Sequence, residues 1–162
     1  AIEEAKLQKD KGFAGLIFKA KELNSQMNYF QHELYIIGID IEDKKAKQLV
    51  HCAVLLNQEW KPNKVNMTSG IYLYTGEILK LQPGSVETNI RNILQNHWNS
   101  FDSKILKKIE QNYHGPVSKE NGAPTPREFL LYLVKKYRED NSINENIAKN
   151  KISFFKKCFL DI

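Results

Sequence analysis

Apolar residues in the first half of the chain form two nearly continuous runs. Residues 34–41 are rich in β-branched and aromatic side chains, and residues 48–56 follow after a charged turn. Such continuous runs are typical of strands covered on both faces, so we expect an antiparallel hairpin here. Before it, we expect a helix at residues 1–10. Within the segment 13–29 we expect a second helix that ends at Asn24–Ser25. The second segment could instead begin with a short strand.

A second pair of apolar runs follows the polar connection at residues 59–70. Residues 71–75 and 78–81 flank Gly76, which is followed by one polar residue. A glycine in this position suits a two-residue hairpin turn. The pattern therefore predicts a sheet of about four antiparallel strands between residues 34 and 81.

The second half of the chain has the apolar spacing of helices, with clear start and stop signals. Ser85 can cap one helix, and a second runs from about Asp102 to a stop at Gly115 and the proline after it. Thr125 is followed by Pro and, three residues later, by Glu, which predicts a capping box. Ser142 repeats the capping pattern for a last helix.

Strands followed by helices indicate an α+β fold, in which the helices pack against one antiparallel sheet. About four C-terminal helices and an N-terminal helical segment would cover the sheet. The chain has 162 residues and no linker or internal repeat, which suits a single domain spanning residues 1–162. Because it opens on Ala1 with a helical pattern, we expect either a domain excised from a longer chain or a processed product.

The apolar runs and the cysteines indicate a soluble protein of a reducing compartment. No run approaches the roughly 20 apolar residues that a membrane-spanning helix needs, and no signal-peptide pattern opens the chain. Cys52 and Cys158 lie in apolar surroundings without the spacing of metal ligands. We therefore expect buried, reduced thiols and a cytoplasmic location, and a disulfide between the two cysteines is the alternative.

Three residue types are unusually frequent. The chain has 21 lysines against 3 arginines, together with 15 asparagines and 16 isoleucines. Lys, Asn and Ile have codons rich in A and T. This composition favours a low-GC genome, which we interpret as bacterial.

No motif of a known catalytic class is present in the sequence. The four histidines, at positions 32, 51, 97 and 114, do not have the spacing of a zinc site. His51 and Cys52 are adjacent, but neighbours in a strand point to opposite faces, so this pair does not resemble a thiol enzyme. A glycine-rich phosphate loop is also missing from the sequence. We expect no metal and no cofactor.

Positive charge is concentrated in the second half of the chain. The net charge is +5, and residues 101–162 carry 12 basic and 8 acidic side chains. The basic side chains opposite the apolar stripes of the last predicted helices are Lys104, Lys107, Lys108, Lys135, Lys136, Arg138, Lys149, Lys151, Lys156 and Lys157. This basic surface is either an ordinary solvated helix face or a contact for nucleic acid or another anionic surface. The scarcity of arginine argues against base-specific reading.

The leading hypothesis is a non-enzymatic protein-interaction module, a domain of a larger bacterial protein with a protein partner. An aromatic residue and a methionine in the polar connection, Trp60 and Met67, could anchor that partner. The other candidate partner-binding residues are basic: Lys135, Lys136, Arg138, Lys156 and Lys157.

The alternative is a small, toxin-like ribonuclease that works without a metal, or an RNA-binding domain. General acid–base catalysis needs geometry rather than a contiguous motif, so dispersed residues can carry it. The candidates are His51 and His114 as acid or base, Lys119 to stabilise phosphorane charge, and Tyr113.

Overall fold

A computed structural model describes residues 21–60, 66–120 and 122–142, and these contain helices but no strand. The predicted α+β fold is therefore wrong for the part of the chain that is described. In chain order the helices are α1 (residues 21–36), α2 (Lys44–Gln58), a π-helix (Met67–Ile71), α3 (Tyr72–Leu79), α4 (Pro83–Trp98), α5 (Ser103–Asn112) and α6 (residues 126–142).

The first predicted hairpin is replaced by the end of α1, a turn and α2. Residues 34–36 are the last of α1, which continues past the end that we predicted at Asn24–Ser25. The chain then turns at Gly38, whose φ of +89° lies in the left-handed region that favours glycine. A carboxylate oxygen of Asp43 then accepts the main-chain N–H of Lys45 at 2.8 Å, which caps α2.

The second predicted strand, residues 48–56, lies inside α2. This helix is covered from several sides. Its buried residues are Ala46, Gln48, Leu49, Val50, Cys52, Ala53, Val54, Leu56 and Asn57. Among the polar positions that are not buried, Lys44, Lys47, His51 and Gln58 form a narrow stripe along one side. Only His51 of these lies within residues 48–56, so the apolar run there resembles that of a buried strand.

The second predicted hairpin, residues 71–81, is also helical. Gly76 lies within α3 rather than in a turn, and a Cβ at this position would lie 2.5 Å from the main-chain oxygen of Leu81. Glycine therefore lets the chain fold back closely over the end of α3. Lys80, with a φ of 59°, ends the helix in the left-handed conformation, and the N–H of Leu81 donates to the Gly76 oxygen at 2.7 Å.

Helices predicted after residue 82 are confirmed where the structure describes them. α4 begins at Pro83, two residues before the predicted cap, and Asp102 caps α5 by accepting the N–H of Lys104 at 2.9 Å. The predicted capping box at Thr125 is present, with the Glu128 N–H donating to the Thr125 hydroxyl at 3.2 Å. The helix predicted for residues 1–10 lies outside the described residues. The prediction that Ser142 caps a separate last helix is wrong, because α6 continues through Ser142, and the residues after it lie outside the described part.

The core joins α1, α2, α4 and α6. Its largest fully buried apolar side chains are Phe30, Leu34, Leu49, Leu56, Ile90, Leu94, Phe129, Leu130 and Leu133. Burying each such side chain contributes about 1.5 to 3 kcal/mol relative to exposing it. The core thus holds α6 firmly against α1, and α6 carries most of the surface described below.

The C-terminal end of α1 is capped by side chains from two later helices. The Nε2 atom of His97, on α4, lies 2.6 Å from the main-chain oxygen of Ile37, and the Asn112 amide, on α5, donates to the oxygen of Ile36 at 2.9 Å. A ring nitrogen facing a carbonyl oxygen must carry the proton, so His97 donates from Nε2. These bonds pair carbonyls that a helix end leaves without partners.

Among residues 21–60, 66–120 and 122–142, none of the helices combines the length and the apolar character needed to cross a lipid bilayer.

Candidate functional site

A groove of about 490 Å³ lies between α6 and the loop that follows α5. It is lined by His114, Gly115, Pro116, Glu128, Leu131, Tyr132, Lys135, Lys136 and Glu139. Three residues singled out in the sequence, His114, Lys135 and Lys136, meet here from two separate elements. We call this surface the α6 groove.

Tyr113 shapes the loop wall of the α6 groove. Its buried ring packs against Trp98 and Phe129, at centroid distances of 5.0 and 5.8 Å. Its hydroxyl donates to the main-chain oxygen of Pro116 at 2.6 Å, which folds the loop back on itself. Burial, reinforced by the nearby charge of Glu128, raises the pKa of Tyr113, so this phenol stays protonated near neutral pH.

Gly115 permits this close packing. A Cβ there would lie 2.6 Å from the Tyr113 hydroxyl oxygen and 2.9 Å from the Tyr132 ring. No other residue fits this position without moving one of the two tyrosines. The glycine that we interpreted as a helix stop thus also sets the shape of the groove.

Tyr132 forms part of the floor and holds the loop. Its ring lies 4.6 Å from that of Tyr113, and its hydroxyl donates to the main-chain oxygen of Asn112 at 3.2 Å. The same hydroxyl accepts the His114 main-chain N–H at 3.5 Å. The backbone of His114 is therefore tied down while its imidazole is exposed.

The two lysines of the groove differ in their surroundings. Lys135 is exposed, whereas the Lys136 ammonium lies 2.7 Å from Oε2 of Glu33 on α1. Burial alone would lower the pKa of Lys136, but the hydrogen bond and charge of Glu33 raise it overall. Lys136 is therefore a charged structural tie between α1 and α6, whereas Lys135 forms no ion pair with any residue that the structure describes.

Two further residues predicted to bind a partner contact each other away from the groove. The guanidinium carbon of Arg138 lies 5.3 Å from the centroid of the Trp60 ring, within cation–π range. Its Nη2 atom donates to the main-chain oxygen of Asn57 at 2.8 Å. Met67, by contrast, is buried in the core at the start of the π-helix. Lys156 and Lys157 lie outside the described residues.

The structure separates most of the candidate catalytic residues. Tyr113 and His114 are neighbours at the groove, but His51 and Lys119 are not among its lining residues. His51 lies half-buried on α2, where burial lowers its pKa, and Lys119 is exposed in the turn beyond the groove loop. The Tyr113 hydroxyl is already used by Pro116.

Leu131 and Tyr132 contribute to the groove but were not chosen from the sequence as site residues. The buried face of α6 consists of Phe129, Leu130, Leu133 and Val134. Leu131 and Tyr132 lie off that face and are only half-buried. Apolar side chains outside the core stripe of a helix were the signal that could have marked them.

Within the described ranges, no group of three or more His, Cys, Asp or Glu side chains is placed to hold a metal ion.

Comparison with known proteins gives no match to a protein family, to a characterised protein or to a solved structure.

Proposed function

We propose that the chain is a protein-interaction module and that its α6 groove binds a short amphipathic segment of a partner protein. One observation carries this proposal: Pro116, Leu131 and Tyr132 form an apolar floor outside the core, beside the charged side chains of Lys135 and Glu139. An apolar centre with a polar rim is the usual composition of a protein-binding surface.

Rigid walls support this role. The Tyr113 hydroxyl holds the loop at Pro116, and Tyr132 holds both Asn112 and the backbone of His114. A groove fixed in this way loses little conformational freedom when a segment binds, so more of the contact energy contributes to affinity.

The charges at the rim indicate the chemistry of the segment. Lys136 is paired with Glu33, and the Glu128 carboxylate accepts the Thr125 N–H, so both are used within the fold. Lys135 makes no ion pair within the described part of the chain. A segment that places an apolar side chain on the floor and a carboxylate near Lys135 would complement the groove.

The test is selection of a random displayed peptide library on the purified chain, followed by titration of the enriched peptides. We expect enriched sequences with an aromatic or aliphatic residue near Asp or Glu. Lys135→Glu should weaken their binding about tenfold, because it reverses the rim charge. Lys104→Glu on α5 makes the same charge change on an exposed residue outside the groove and should leave binding unchanged.

Two results would count against the proposal. One is a library without any enriched sequence. The other is an equal loss of binding in both variants, which would indicate general charge attraction rather than recognition in the groove. Circular dichroism of each variant would show that the helices are retained.

A further inference from the structure

A second pocket, of about 490 Å³, lies where α1, the end of α2 and α6 meet. Its walls are formed by Glu22, Leu23, Gln26, Asn57, Gln58 and Arg138. It shares no lining residue with the α6 groove, and its volume falls within the range of small-molecule sites. We call it the Arg138 pocket.

Two residues in the wall of the Arg138 pocket each hold a buried acceptor atom that has no hydrogen-bond partner among the described residues. These atoms are Oε1 of Gln26 and Oδ1 of Asn57, and the two residues are only 3% and 7% exposed. Nearly all buried polar groups in folded proteins are paired, so two unpaired acceptors at one pocket require an explanation. A bound ligand that donates hydrogen bonds to these two oxygens would explain why they have no partner in the fold.

Arg138 adds a positive charge and hydrogen-bond donors to the same pocket. One guanidinium N–H is used by the main-chain oxygen of Asn57, and the planar group lies over Trp60. These contacts hold the guanidinium in place and leave further N–H donors of its five for an anionic group. A guanidinium placed in this way is suited to a carboxylate, which it can bind through two parallel hydrogen bonds.

Glu22 adds a negative charge on the acceptor side. It is exposed and makes no ion pair among the residues that the structure describes. The pocket therefore offers three acceptor groups, from Glu22, Gln26 and Asn57, and one cationic donor, Arg138. A ligand that matches both sides carries an ammonium and a carboxylate.

We propose that the Arg138 pocket binds a free α-amino acid or a comparably small zwitterion. The carboxylate lies against Arg138, and the ammonium donates to the side-chain oxygens of Gln26 and Asn57 near Glu22. Both amide oxygens are themselves buried, although their residues line the pocket. Rotation about the soft terminal torsions of Gln and Asn brings them to the ligand.

The experiment has two stages. The twenty standard L-amino acids are first screened singly, at millimolar concentration, for a rise in the melting temperature of the purified chain. The best ligand is then titrated by calorimetry beside its N-acetyl form, which lacks the ammonium, and its amide form, which lacks the carboxylate. We expect the free amino acid to bind about tenfold more tightly than either blocked form.

Two variants connect binding to the pocket. Arg138→Gln should abolish measurable binding, whereas Lys104→Gln, at an exposed position on α5 that lines neither pocket, should not change it. Gln26→Met keeps the size of the side chain but removes one acceptor. It should weaken binding and, without ligand, raise the melting temperature, because the unpaired buried oxygen is gone.

Three results would overturn the proposal. The first is no stabilisation by any amino acid, which would leave bound water as the partner of the two oxygens. The second is equal binding of the free and the blocked forms. The third is unchanged binding by Arg138→Gln. None of these results bears on peptide binding at the α6 groove.

Discussion

The Lys136 ammonium on α6 lies 2.7 Å from Oε2 of Glu33 on α1, and the Glu33 side chain is only 8% exposed. Because the carboxylate is nearly buried, Lys136→Met leaves it without a counter-charge. We expect this variant to lose about 2 kcal/mol of the free energy of unfolding, measured by urea denaturation. Replacing both residues, as Glu33→Gln with Lys136→Met, should recover much of that loss.

Lys135→Met is the matched control for that measurement, because Lys135 is the exposed neighbour of Lys136. This substitution should change the free energy of unfolding by no more than about 0.5 kcal/mol. Equal stability of the Lys136→Met and Lys135→Met variants would show that the ion pair does not hold α1 to α6.

His97 should make the stability of the fold depend on pH. Burial lowers its pKa, and the hydrogen bond to Ile37 offsets this only in part. The unfolded chain therefore binds a proton more readily than the folded chain, and stability falls as the pH drops below the ordinary histidine pKa of about 6.5. Burial lowers the pKa of His51 as well, so its effect has the same sign.

The test compares the urea concentration at the midpoint of unfolding at neutral pH with that at mildly acidic pH. His97→Gln, which keeps an N–H donor but does not titrate, should lose less stability on acidification than the unchanged chain. The control is His114→Gln, at a position where the imidazole is exposed. A His97→Gln variant with the full acid sensitivity would contradict the prediction.

Alanine substitutions at Gly76 and at Gly84 should change the stability of the protein in opposite directions. At Gly76 the new Cβ would meet the main-chain oxygen of Leu81 at 2.5 Å, and backbone cannot move aside cheaply. We expect Gly76→Ala to lower the free energy of unfolding by about 2 kcal/mol. Gly84 lies in the first turn of α4, and a Cβ there would meet no atom of the described residues within 4 Å. Gly84→Ala should therefore raise the free energy of unfolding by about 0.5 kcal/mol.

Thermal or urea denaturation of the two variants checks this pair. If Gly76→Ala is as stable as Gly84→Ala, the close return of the chain over the end of α3 is not a feature of the fold in solution.

Cys52 should be unreactive until the protein unfolds. It is fully buried, and burial raises its pKa to about 12, although the hydrogen bond with the Thr75 hydroxyl at 3.3 Å lowers it somewhat. Thiolate is the reactive form of cysteine, so both access and ionisation are suppressed. In a Cys158→Ser variant, a chromogenic thiol reagent should label the native chain at least about a hundredfold more slowly than the denatured chain.

Similar labelling rates for the native and the denatured chain would contradict the buried position of Cys52. The double variant Cys52→Ser with Cys158→Ser contains no thiol and provides the background rate.

The helices after residue 82 could be predicted because their signals are local. Asp102 and Thr125 cap helices with their own side chains, and neither bond depends on distant parts of the chain. For residues 48–56 the deciding fact is distant, since an apolar run becomes a strand or a central helix according to what surrounds it. The local signal for a helix here was Asp43, which caps the start of α2. We interpreted the charged residues around it as a turn between two strands.

The site could be predicted only in part, for the same reason. His114 and Lys135 were candidates on separate grounds, but they share a groove because Tyr113 and Gly115 fold the loop against α6. The Arg138 pocket was not predicted. Gln26 and Asn57 come together through the packing of α1 against α2, which no spacing in the sequence reveals.

The caps at the end of α1 also bear on the order in which the protein is assembled during synthesis. The main-chain oxygen of Ile37 pairs with a histidine 60 positions later in the chain, and that of Ile36 pairs with an asparagine 76 positions later. The ribosome must therefore release most of the bundle before the last turn of this early helix acquires its final partners. Until then, those carbonyls depend on water, and α1 is open to fraying from that end.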